Sequence, residues 1–173
     1  SMVASLIAGQ GRVTGGVQGV APGAKLLSIS IGLGVKGADT DAQIAKGVIW
    51  AVDHGAQVIN LSLSRNSRTW PKSWDDAFVY AADHDVIVVA ASGNRSDGSN
   101  RPSAPATMPG VISVGGVDAN RLASETASTE GLGIVVVAPA EGLLGSYPGG
   151  EIRGWSGSSA AAPIVSGLIA LML

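Results

Sequence analysis

The sequence predicts an α/β domain in three layers: a mainly parallel β-sheet with helices on both faces. Two observations carry this reading. Five short segments rich in Val, Ile and Leu have strand-like lengths and β-branching, and helical stretches are interleaved between them. Near-continuously apolar strands that alternate with helices belong to parallel sheets covered on both sides, joined by right-handed crossovers. The 173 residues have room for one such domain, and no stretch reads as an interdomain linker.

The elements follow in order. "SMVASLIAG" (1–9) reads as a helix, and "KLLSISIGL" (25–33) as the first strand. In "DTDAQIAKGVIWAVDHGA" (39–56), Thr40 and Gln43 have capping-box spacing. Ile44, Val48 and Val52 recur there at helical intervals, and Gly55 can close the C-terminus. "QVINLSLS" (57–64) is the second strand. "PKSWDDAFVYAADH" (71–84) is a helix with Pro71 near its start and Ala77, Phe78 and Ala81 on its inner face. Three more strands are read at "DVIVVAAS" (85–92), "GVISVGGV" (110–117) and "GIVVVAPA" (133–140). Finally "GSSAAAP" (157–163) follows the Gly/Ser-rich "RGWSGSS" and runs into the apolar "IVSGLIALML". That pattern reads as a helix opening near Ser159, with Pro163 in its first turn, where a missing N–H costs nothing.

Composition narrows the function. Hydrophobic residues make up 46% of the chain and charged residues 14%, against about 25% charged in a typical domain. A surface so poor in charge points toward a partner. With a net charge of −2, no basic run and few aromatics, nucleic acid is not an expected partner. The absence of cysteine removes disulfides and thiolate metal sites. No apolar run reaches the roughly 18 residues that a membrane span needs, and no signal peptide is read in the chain. No cofactor is expected. Asp39, Asp41, Asp75 and Asp76 read as caps and first-turn charges rather than metal ligands, since no calcium-binding spacing surrounds them.

In open parallel sheets, ligands bind at the carboxyl ends of the strands. The candidates are therefore the residues just after the apolar runs: Ser62 to Ser64, Ser92 to Asn94, and the loop leading to Ser159. Ser159 at a helix mouth has two readings. It is either the N-cap of a buried helix or a nucleophile placed where unpaired N–H groups and the helix dipole favour negative charge. Asn94, in "AASGN", is either a turn residue or a donor aimed at an oxyanion.

These residues resemble the subtilisin-like serine proteases, the subtilases. "GSSAAAP" is similar to the family's nucleophile motif GTSxAxP, with Ser158 in place of Thr. "GVAPGAKLLSISI" (19–31), "GAQVINLSLS" (55–64), "VIVVAASGN" (86–94), "PATMPGVISVGGVDAN" (105–120) and "VVVAPAEGLLGS" (135–146) match further family segments, in order along the chain. The resemblance implies a subtilisin-like fold, a secreted protein, and peptide-bond hydrolysis through an acyl-enzyme on Ser159. Asn94 and the Ser159 N–H would be the oxyanion donors. Ser62, Leu63, Ser64 and Gly93 would line the cleft for a peptide or ester substrate. Two departures are Ser64 and Ala140, each standing where the family has glycine.

The family's catalytic Asp and His have no counterpart in the 173 residues. "SMVASLIAG" resembles the helix that follows the histidine, so residues 1–173 read as a single, incomplete catalytic domain lacking the N-terminal strand and the C-terminal elements. His54 and His84 sit at helix ends leading into strands, which face away from the site. The chain alone is then expected to be inactive or weakly active. Two alternatives stay open: a short esterase without a base, and a non-catalytic, self-associating module. In the family fold the aspartate-bearing strand lies inside the sheet, beside segment 25–33 or segment 85–92. Its absence predicts a homo-oligomer, or association with the complementing remainder of the parent domain.

Overall fold

The computed structural model describes residues 2–11, 15–65 and 67–173. Its main sheet has the order β1 (Val58–Leu61), β2 (Ile87–Ala91), β3 (Ile112–Val117), β4 (Val136–Pro139), and all neighbours run parallel. Helices α2 (Thr40–Asp53) and α3 (Lys72–Asp83) cover one face, and α4 (Ser158–Ala170) crosses all four strands on the other. Strand β2 shows how the sequence specifies both layers. Side chains alternate across a strand, so Val88 and Ala90 enter the α2/α3 core while Val89 and Ala91 enter the α4 core. Helix α1 (Met2–Ala8) packs on α4 and on a hairpin of β5 (Leu143–Ser146) and β6 (Ile152–Trp155). Ser1 of the predicted first helix lies outside the described residues.

Three expectations are corrected. The hairpin β5–β6 was not anticipated, because its Gly-rich sequence carries little strand propensity. Helix α2 is capped by Asp39, as its reading as a cap anticipates, with Oδ1 accepting from the Ala42 N–H at 3.0 Å, and not by Thr40 of the capping-box spacing. Gln43 turns away from the helix start, and its Oε1 takes the Gly32 N–H at 2.7 Å. Gly55 does close α2, in a left-handed conformation with φ +77°.

The largest correction concerns residues 25–33, which form no strand. Leu26, Leu27 and Ile29 are each more than two-fifths exposed. Strand β2 is paired on both sides, so of the two places expected to flank the absent strand, segment 85–92 is closed. Of the two edge strands, β1 and β4, it is β1 that faces segment 25–33. Between that edge and segment 25–33 lies a cleft of about 730 Å³, lined by apolar side chains including Leu27, Ile31, Val58 and Leu61. It runs from His54, at the start of β1, to Ser62 at its end.

Candidate active site

The C-terminal ends of β1 and β2 meet the N-terminus of α4. Helix α4 starts after Gly157, whose φ of 140° and ψ of 157° few residues other than glycine can adopt. Its N–H donates to the Ala140 carbonyl at 2.8 Å, which ties the helix start to the end of β4. Ala140 itself is fully buried and is not among the left-handed residues, so replacing the family's glycine there adds no backbone strain.

Ser158, the first helical residue, is fully buried and joins α4 to the end of β2. Its Oγ accepts from the Gly93 N–H at 3.1 Å and lies 3.0 Å from the Gly93 carbonyl. Its backbone N–H donates to Asn94 Oδ1 at 2.8 Å. Both polar groups of the Gly93 backbone are thus engaged by one side chain. Gly93 has φ +104° and is buried, which lets β2 turn sharply into Asn94.

Ser159 is the second residue of α4 and half-buried. The early N–H groups of a helix have no intrahelical acceptor, and among the described residues nothing accepts from that of Ser159. No acidic side chain stands in the first turn to neutralise the positive end of the dipole. The Ser159 Oγ lies 3.4 Å from the Ser62 carbonyl. Ser159 is therefore not the N-cap: that position is Gly157.

Beneath Ser159 runs a polar relay that the sequence did not reveal. Ser166 Oγ donates to Asn60 Oδ1 at 2.9 Å, Asn60 Nδ2 donates to Ser62 Oγ at 3.0 Å, and Ser62 Oγ donates to the Ser159 carbonyl at 2.9 Å. Asn60, Ser62 and Ser166 also line the cleft beside β1. Of the other candidates, Leu63 packs against the α2/α3 core and Ser64 is exposed.

The histidines stand elsewhere. His54 and His84 are the C-caps of α2 and α3, and each Nδ1 meets a carbonyl one turn back, of Trp50 and Tyr80, at 2.8 Å. Both precede the starts of β1 and β2, whereas Ser159 lies at the strands' ends. A four- or five-residue strand separates them, about 13–17 Å at 3.3 Å per residue. Among the described residues no cluster of three or more His, Asp or Glu could hold a metal ion.

The family model of the subtilases, the Peptidase S8 family, matches residues 1–173. The chain belongs to the subtilase family. A thermophilic serine proteinase of Bacillus sp. (strain AK1) is 38% identical over 171 residues, which is 98% of this chain and 41% of that protein. Subtilisin Savinase of Lederbergia lenta is 38% identical over 157 residues, 91% of this chain and 56% of that one. Among solved structures, the prenylagaramide maturation protease PagA superposes with a TM-score of 0.88 at 30% identity, covering 99% of this subtilase chain and 62% of its own. The chain thus spans roughly two-fifths to three-fifths of the length of these relatives.

Proposed function

We propose that this subtilase chain carries the nucleophile and oxyanion half of a peptide-bond hydrolase, with Ser159 as nucleophile. The observation that carries the reading is the unpaired N–H of Ser159 at the mouth of α4, with its hydroxyl held only by the long contact to the Ser62 carbonyl, next to the amide of Asn94 that Ser158 anchors. Attack by Ser159 Oγ on a peptide carbonyl breaks its π bond and leaves a negative oxygen. The Asn94 Nδ2 and the Ser159 N–H are the donors for that oxygen. Collapse of the adduct expels the amine, which takes up the proton lost by Ser159, and water then releases the acyl group by the same steps. Ser62, Leu63, Ser64 and Gly93 border the path of the substrate.

The proton needs a base, and both histidines lie at the far end of the sheet. The base and its orienting carboxylate therefore come from outside residues 1–173. A complementing segment that adds a strand in the cleft beside β1 would bring them. Without them Ser159 is a neutral hydroxyl. In subtilisin itself, loss of the histidine lowers turnover by about 10⁶.

The experiment is covalent labelling of the folded chain with a serine-directed phosphonate, read by mass spectrometry, alongside casein hydrolysis. Ser159 takes the label, Ser159→Ala abolishes it, and casein is cleaved at a negligible rate. Preferential modification of another serine would remove the assignment. Robust casein cleavage lost in Ser159→Ala would show that the base lies within the chain or in a second copy.

A further inference from the structure

We propose that Asp97 is the positioning residue for the Asn94 amide, deciding which of its two polar atoms is free to face a developing oxyanion. This rests on the reading of Ser159 and Asn94 above. The two ends of the amide meet partners that cannot exchange roles. A backbone N–H only donates, so the atom that the Ser158 N–H meets at 2.8 Å is Oδ1. An ionised carboxylate only accepts, so the atom that Asp97 Oδ2 meets at 2.8 Å is Nδ2. The terminal torsion of asparagine is broad and roughly two-fold. Ser158 alone fixes one end of the amide; Asp97 fixes the other and stops the side chain from swinging.

The chain delivers Asp97 to this place by a short 3₁₀ turn over Arg95–Asp97, directly after Asn94. The Asp97 N–H donates to the Asn94 carbonyl at 3.2 Å, and Gly98 ends the turn with φ +83°. The turn is itself anchored. The Arg95 and Ser96 N–H groups donate to the carbonyls of Ser128 and Thr126, both at 3.1 Å, and the Arg95 guanidinium holds the carbonyls of Ser124 and Glu125. The carboxylate is therefore held beside the amide by a loop anchored at several backbone hydrogen bonds.

Asp97 has two effects of opposite sign. Nδ2 carries two hydrogens, and with one on Asp97 the other is directed outward for an oxyanion. The negative charge of Asp97, one amide away, opposes a second negative charge at the same site. Substitution separates the two. Asp97→Asn keeps an acceptor oxygen without the charge, and Asp97→Ala removes both.

The test uses the 173-residue chain and the phosphonate. Labelling of Ser159 is expected to be about fivefold faster in Asp97→Asn, from the lost repulsion across a solvated distance. Asp97→Ala gains the same relief of repulsion but loses one orienting hydrogen bond, so its labelling is expected to be about fivefold slower than that of Asp97→Asn. The Asn94 side-chain protons in a nitrogen–proton correlation spectrum give a second readout independent of reactivity. One proton, held on Asp97, lies downfield and exchanges slowly, and in Asp97→Ala it moves upfield, so the separation of the pair narrows. A turn residue with a purely structural role would lower stability without moving this pair. Equal labelling in all three proteins, with the Asn94 pair unmoved, overturns the role of Asp97 and leaves the Ser159 reading standing. Absence of label on Ser159 in every variant overturns that reading, and the role of Asp97 with it.

Discussion

The Ser62 hydroxyl donates to the Ser159 carbonyl at 2.9 Å, in the place where a helix would ordinarily put its own N–H. The residue four positions on from Ser159 is Pro163, which has no N–H to give. Pro163 is the sixth residue of α4 rather than part of its first turn, so its missing donor does leave an orphan. A side chain from the end of β1 satisfies it, and this binds the candidate nucleophile to the sheet.

Ser62→Ala is therefore expected to destabilise the chain by about 1–2 kcal/mol, the cost of leaving a partly buried acceptor unpaired. Pro163→Ala restores a helical N–H to the same carbonyl, so in that background Ser62→Ala costs less. A double-mutant cycle by denaturant unfolding measures the difference. Strict additivity of the two substitutions would show that Ser62 and Pro163 do not share the Ser159 carbonyl.

Gly157→Ala acts on the other side of the site. A Cβ at Gly157 would stand 3.3 Å from Asn94 Oδ1, and the φ of 140° is one that alanine resists. The expected cost is about 1–3 kcal/mol of backbone strain, with slower phosphonate labelling because Asn94 is pushed off the Ser158 N–H. Gly154→Ala is the control: its Cβ meets nothing within 4 Å, so stability should stay within about 0.5 kcal/mol.

Much of this was legible in the sequence. The four strands of the main sheet, all three long helices and the placement of Ser62, Asn94 and Ser159 at one end of the sheet follow from periodicity and from the parallel-sheet rule. Segment 25–33 was misread for a physical reason. Its Leu and Ile pattern has the propensity for a strand, but a strand exists only through its partners, and no ladder joins this segment to the edge of β1 across the cleft. The relay Ser166–Asn60–Ser62 and the Asp97–Asn94 bond had no signal at all, since each joins residues that only the fold, or a tight turn, brings together.

Tyr80 gives a pH dependence far from the site. Its hydroxyl donates to Asp53 Oδ1 at 2.9 Å, and this hydrogen bond raises the tyrosine pKa, with burial and the carboxylate charge adding to it. The neutral phenol is the form that the fold prefers. The stabilisation is therefore full below the unfolded tyrosine value of about 10 and is lost as pH rises through the higher folded value. Tyrosinate absorbance, titrated in the wild type and Tyr80→Phe, should give a difference curve centred above 10, and Asp53→Asn should lower that centre. A curve unchanged by Asp53→Asn would mean that the hydrogen bond does not govern the titration.

The cleft beside β1 sets the final expectation. Among the described residues, the backbone amides of residues 26–31 have no hydrogen-bond acceptor, and the outer edge of β1 is equally unpaired. Unpaired edges that face each other across an apolar gap invite an extended segment, and the exposed Leu26, Leu27 and Ile29 would be buried with it. In the isolated chain these amides should exchange hydrogen rapidly while those of β2, paired on both sides, exchange slowly. Co-expression with a complementing segment that adds an extended strand there should then protect 26–31 and the β1 edge together and raise the unfolding midpoint. Light scattering on the chain alone is expected to reveal self-association through the same edges. A monodisperse monomer whose 26–31 amides are already protected would show that segment 25–33 closes onto β1 by itself, and that no added strand is needed.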